Sequence, residues 1–219
     1  MDRVQRNGGT LGVIAAVILA AAFILLLSTG LNPEIAADPT KALSILVQHV
    51  RRFVAAGVLF GLGVAASVIF IVALSGRLRE AAPTRAAAVL YLAVIGLTGY
   101  ALDSLLQWQG ITHLVGVAAK DQTTAANAWV TMRGLSLTFD AVGGLFTGAT
   151  EVIAGWAILT THTLGTAIGW LSIVTGIVNV LALFARASVL LFLGSFVLTV
   201  IWLAWTGVAL RGVGERQGT

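Results

Sequence analysis

Charge is scarce in this sequence. Thirteen basic and nine acidic residues stand among 219, or 10%, against about 25% in a soluble domain. So few charges cannot cover a water-facing surface. With 58% hydrophobic residues and a mean hydropathy of +0.97, lipid must be the solvent for much of the outside. Cysteine is absent altogether. That excludes disulfides, thiolate metal sites, cysteine nucleophiles and c-type haem attachment. A net charge of +4 comes without the dense basic patch of a nucleic-acid binder, so no nucleic-acid partner is expected. His49, His113 and His162 have no metal-ligand spacing and read as loop or interface residues. Zinc-protease, phosphate-loop and nucleophile-elbow signatures are missing. No metal and no cofactor is therefore expected.

What is present is a series of six apolar runs, each near the ~20 residues that a spanning helix needs. Spans are expected at residues 11–31, 53–74, 86–107, 134–159, 164–184 and 189–210. Asn32 and Pro33 end the first, Arg52 and Arg77 bracket the second, and Arg186 and Arg211 bound the sixth. Arg3 and Arg6 precede the first run as in a secretory signal, but its apolar core is longer than a signal core, so a retained helix is expected. Backbone in hydrocarbon must satisfy its own hydrogen bonds, which dictates helices. The runs are too long and too weakly alternating for barrel strands. The sequence thus predicts an all-α, polytopic membrane helix bundle of six transmembrane helices, one domain over 1–219.

Six spans put both termini on one side. The links after the first and third spans are long and share the opposite side. In the first link Asp38 suits an N-cap and Pro39 the first helical position. Leu43, Leu46, Val47 and Val50 follow helical apolar spacing, and no breaker separates them from the second span. A continuous helix from Pro39 to Leu74 would run ~54 Å, well beyond the ~30 Å hydrocarbon core. The link after the third span repeats this design, with Asp121 or Thr123 capping a helix through Ala125, Ala126 and Trp129. The two extensions predict a small helical cap. Seven basic residues fall on the terminal side (Arg3, Arg6, Arg77, Arg79, Arg85, Arg211, Arg216) and six on the other (Lys41, Arg51, Arg52, Lys120, Arg133, Arg186). The short link with Arg77, Arg79 and Arg85 is the strongest local signal. It favours cytoplasmic termini. Trp108 and Trp129 then mark the outer interface, and Trp156, Trp170 and Trp205 the inner one.

Small residues supply close helix contact where apolar side chains gain little by leaving lipid. Gly57 and Gly61, Gly144 and Gly148, and Gly165 and Gly169 have the spacing for it. In the fifth span Gly165, Gly169, Ser172 and Gly176 form one stripe, expected to pack helices within the bundle rather than to drive a dimer. Acids at membrane depth are the informative residues, because a charge there costs at least ~2.5–3.5 kcal/mol and must face inward. Asp140 and Glu151 are eleven residues apart on one face of the fourth span. Tyr100, Asp103 and Gln107 share a face of the third. Depth alone groups Asp103, Asp140 and Asn179 in the outer third, with Arg52 and Arg133 just above and Glu151 deeper, without a basic partner. Two readings follow. In one, arginine-to-aspartate clasps fix the helices. In the other, Asp103, Gln107, Asp140, Glu151 and Asn179 line a polar cavity for a cation or small polar ligand.

The layout resembles domain-of-unknown-function family 4386, a family of six-helix bacterial membrane proteins. The residues carrying the resemblance are Arg52-Phe53-Val54 leading the second span, Asp140 followed by Gly143-Gly144, and Leu164-Gly165-Thr166-Ala167-Ile168-Gly169-Trp170-Leu171 with Gly176 after it. The family's usual proline before that last pattern is absent. The resemblance implies the fold and no chemistry. The residues themselves leave three functions open. Missing catalytic motifs and small-residue seams suit a scaffold or accessory subunit, partnered by the bilayer and by other membrane-protein subunits. The buried acids suit a transporter or ligand-binding bundle, although the spans lack the broken helices and internal repeat common in transporters. An intramembrane enzyme would need a nucleophile or metal that the sequence does not offer.

Overall fold

A computed structural model describes residues 2–184 and 189–216 of the chain. Every element among them is a helix. Six are long and apolar enough to cross a membrane, and the protein is a multi-pass integral membrane protein in contact with the bilayer. In chain order the elements are α1 (Asp2–Leu27), α2 (Pro33–Ala37), α3 (Pro39–Arg79), α4 (Pro83–Leu105), a π-helical turn (Leu106–Gly110), α5 (Ile111–Ala118), α6 (Gln122–Thr161), α7 (Thr166–Phe184) and α8 (Val189–Arg216). The expected span boundary at Arg186 lies outside the described residues.

The six long helices stand in a ring. Going round it, α1 packs on α3, α3 on α4, α4 on α6, α6 on α7, α7 on α8, and α8 back on α1. Chain order is therefore ring order. Glycines set several of the contacts. A Cβ on Gly148 of α6 would stand 2.8 Å from the Gly176 carbonyl oxygen of α7. A Cβ on Gly99 of α4 would stand 2.8 Å from the Gly143 nitrogen of α6. The backbones can come this close only without side chains between them. The small-residue stripe of α7 thus packs inside the bundle, with one change. Gly165 lies before the helix, in the turn from α6, with φ at +90°. Only Gly169, Ser172 and Gly176 of that stripe are helical.

The half of the ring nearer the chain termini is solid. Phe70, Leu74, Leu78, Ala86, Val89, Ala157, Ile158 and Leu210 are all fully buried in one apolar cluster. At that end Arg85 lies 4.0 Å over the Trp156 ring and bonds Thr160. Trp156, Trp170 and Trp205 are each at least half exposed.

The opposite end of the ring carries the cap. Asp38 Oδ1 accepts from the Thr40 and Lys41 amides at 3.0 and 3.2 Å, and Asp121 Oδ1 from the Thr123 and Thr124 amides at 2.9 and 3.1 Å. Asn32, expected to end the first span, instead caps α2, accepting from the Ile35 amide at 2.8 Å. Leu43, Leu46, Phe53, Ile111, Leu114 and Trp129 form a second apolar core, distinct from the one below. Trp129 belongs to this core rather than to the interface. It is 6% exposed, and its Nε1 donates to the Ala36 carbonyl at 3.1 Å. Two cores acting on one helix account for a break the sequence does not announce. α3 leaves helical geometry at His49 (φ −119°, ψ 20°), between its cap segment and its span, with no proline or glycine there.

Candidate functional site: a blind cavity inside the ring

Above the solid half the ring is hollow. A cavity of about 1150 Å³ runs between the helices and reaches exposed Asn32 and Glu34 at the cap. Its floor is formed by Ile71, Leu203 and Trp202. Trp202 is fixed there by a 2.7 Å bond from Nε1 to Ser172 Oγ and by an edge-on contact with Phe70, ring centroids 5.5 Å apart. Close-packed side chains lie below, so the cavity does not run through to that end of the ring.

The two walls differ in chemistry. α1 and α3 present Leu19, Phe23, Ala56, Phe60 and Val64, and α8 adds Phe192 and Phe196. Phe23 and Phe196 stack at 4.0 Å. The opposite wall is a polar seam on α6. Arg133, Leu137, Asp140, Gly144, Thr147 and Glu151 all line the cavity. They alternate spacings of four and three, which keeps them on one face of a helix. The seam extends ~27 Å at 1.5 Å per residue. α4 adds Tyr100, Asp103 and Gln107 to this wall, α7 adds Asn179, and α8 adds Ser195 and Thr199.

Two clusters of hydrogen bonds anchor the seam. In the upper one Asp103, 5% exposed, accepts from Gln107 Nε2 at 2.7 Å and from Ser136 Oγ. The bond within α4 orients the carboxylate, and the bond from α6 ties the two helices together. In the deeper one Glu151, 2% exposed, accepts at Oε2 from Asn179 Nδ2 at 2.7 Å. The same amide nitrogen also donates to Thr199 Oγ1 at 3.0 Å. One acid on α6 is thereby linked through α7 to α8.

These partners differ from those expected by depth. Arg52 does not clasp Asp103. It lies outside the cavity lining and donates from Nη1 to the Ser28 carbonyl at 3.0 Å, closing the exposed C-terminal end of α1. Asn179 joins Glu151, not the outer aspartates. It can do so because α7 runs antiparallel to α6 and the Gly148–Gly176 contact brings the two backbones together. Arg133 and Asp140 both line the cavity and both have partners. Ser136, Thr199 and the Phe23–Phe196 stack are site residues that sequence reasoning missed. Extending the four-and-three spacing upward from Glu151 reaches Ser136 beside Leu137. For Thr199 no sequence signal exists, because it enters only through packing of α8 on α7. Among the described residues no group of three histidines, cysteines or acids is placed to hold a metal ion.

Four acids (Glu34, Asp103, Asp140, Glu151) and one basic residue, Arg133, line the cavity. The space is therefore apolar on one side and acid-rich on the other. Such a space can enclose a molecule with an apolar body and offer it oriented acceptors. No family model, no curated protein and no solved structure matches this chain.

Proposed function

We propose that this protein is a ligand-binding membrane bundle that takes a small amphipathic molecule, bearing hydrogen-bond donors or positive charge, into its blind cavity from the cap side. The observation that carries the reading is the cavity itself. A helix bundle that served only as a scaffold would gain by closing such a space, since each void forfeits contacts. Here the void is kept, and buried acids that are costly in a membrane are turned into it. A cavity closed at one end suits a receptor, or one state of an alternating-access carrier, rather than a pore. The short link with Arg77, Arg79 and Arg85 favours cytoplasmic termini in a bacterial inner membrane, with the cavity opening on the far side. Membership of domain-of-unknown-function family 4386 is proposed on the same layout.

The test is a thermal-stability screen of the purified protein in nanodiscs against a panel of small amphipathic cations, neutral analogues and anions. Cations are expected to raise the melting temperature, and Glu151→Gln to reduce the rise while the variant stays monodisperse. No stabilisation by any class would reject the reading. A second reading, an accessory subunit, is favoured by Phe184 and Leu190 at the outer ends of α7 and α8, which are 83% and 81% exposed. A stoichiometric partner retained in mild detergent would support it.

A further inference from the structure

The acids of the cavity are not gathered at one point. Glu151 lies at the deep end of the seam, just above Trp202, and Asp140 lies eleven residues away on the same face of α6. Asp103 is tied to Ser136, one further turn toward the cap. Along the helix Glu151 is thus ~16 Å from Asp140 and ~22 Å from the level of Asp103. Between the two stations the facing wall is aromatic and aliphatic, with Phe23, Phe60 and Phe196. Among the described residues Arg133 is the one basic residue of the lining, and on α6 it lies seven residues toward the cap from Asp140.

A molecule with one charged head would set a cation at Glu151 or at Asp103 but not at both, and its tail would have to cross the other. A molecule charged at both ends, with a hydrocarbon middle, matches all three features. We infer that the ligand is an extended organic dication, an alkane-α,ω-diamine or a polyamine, with one ammonium at Glu151 and the other at Asp103. This rests on the ligand-binding reading above. Each ammonium donates to a carboxylate at a charge-assisted distance of about 2.8 Å, so the two nitrogens stand ~16 Å apart along the seam. At the deep station Glu151 Oε2 already accepts from Asn179. A carboxylate has further acceptor sites on both oxygens, and Thr199 Oγ1 lies next to the same amide.

Wild-type protein in nanodiscs, titrated with straight-chain diamines of four, eight and twelve carbons, a twelve-carbon monoamine and a twelve-carbon diol, gives the test. Stabilisation is expected to rise with diamine length. The longest diamine is expected to bind more than about tenfold tighter than the monoamine or the diol, as the loss of one buried charge pair implies. Glu151→Gln and Asp103→Asn should each bring the diamine down to the level of the monoamine. The length series needs no variant, so a substitution that fails to fold does not remove the test. Equal binding of monoamine and diamine, or no dependence on length, would overturn the dication while leaving the cavity as a binding site. If these probes fail but other members of the wider panel bind and lose binding in Glu151→Gln, only the dication falls. If nothing binds, both readings fall.

Discussion

Asn179 is what makes Glu151 tolerable at membrane depth. The carboxylate has no basic partner among its hydrogen bonds, and its donor is a single amide 2.7 Å away. Replacing that amide with an apolar group of similar size leaves an acid with an unmet acceptor. Asn179→Leu is therefore expected to cost about 1–3 kcal/mol, the usual penalty for an orphaned buried polar group, read as a lower denaturant midpoint in detergent. Glu151→Gln is expected to be milder, since glutamine can still accept from Asn179. The double variant should show coupling between the two sites, because they form one bonded unit. Arg52 behaves differently. It is exposed and meets a carbonyl at the end of α1, so Arg52→Ala should loosen the first link without touching ligand binding.

At the scale of elements, α6 carries the molecule. It forms one seam with α4, another with α7, and the central stripe of the cavity's polar wall. Its contact with α7 depends on glycine at the crossing. Gly148→Val places branched carbon where the Gly176 carbonyl stands 2.8 Å from the first added atom. A loss of about 1–3 kcal/mol or more is expected from overpacking, whereas Gly194→Ala, with nothing near it, should be silent in the same unfolding assay. The cap elements answer to pH instead. Bonds from the Lys41 amide, with the Lys41 and Thr40 contacts, hold Asp38 below its usual 3.8, and bonds from the Thr124 hydroxyl and amide do the same for Asp121. A carboxyl whose folded value is depressed contributes fully above its unfolded value, and the contribution is lost as pH falls through the folded one. The starts of α3 and α6 should therefore fray below about pH 4, seen as faster amide exchange there. Asp38→Asn and Asp121→Asn keep a capping side chain and should flatten that dependence.

For the whole molecule the decisive feature is ring closure between the first and last helices. α1 meets α8 along its length, with Phe23 stacked on Phe196. Because the chain has no cysteine, Phe23→Cys with Phe196→Cys gives a background-free pair. A short bifunctional thiol reagent should link them within one chain, giving a faster-migrating monomer on denaturing gels. Failure to link, with both thiols reactive singly, would mean an open ring and a cavity exposed to lipid between α1 and α8. The six spans and both cap helices are legible in sequence because each is a local property, an apolar run or a cap with its spacing. Asp140 and Glu151 share a face by the same helical arithmetic. The kink at His49, the π turn after Leu105 and the burial of Trp129 are not legible, since each arises where two packed bodies compete for one segment.

Residue chemistry and periodicity alone settled that this chain lives in lipid, that it crosses six times, and that its few inner acids turn away from the hydrocarbon. Those follow from transfer free energies and from 3.6 residues per turn, which need no partner helix. Packing alone decided which acid meets which donor, that the helices close into a ring in chain order, and that the ring is filled below and hollow above. Depth in a membrane fixes one coordinate of a side chain. Its neighbours depend on the other two, and those are set only when helices distant in sequence come into contact.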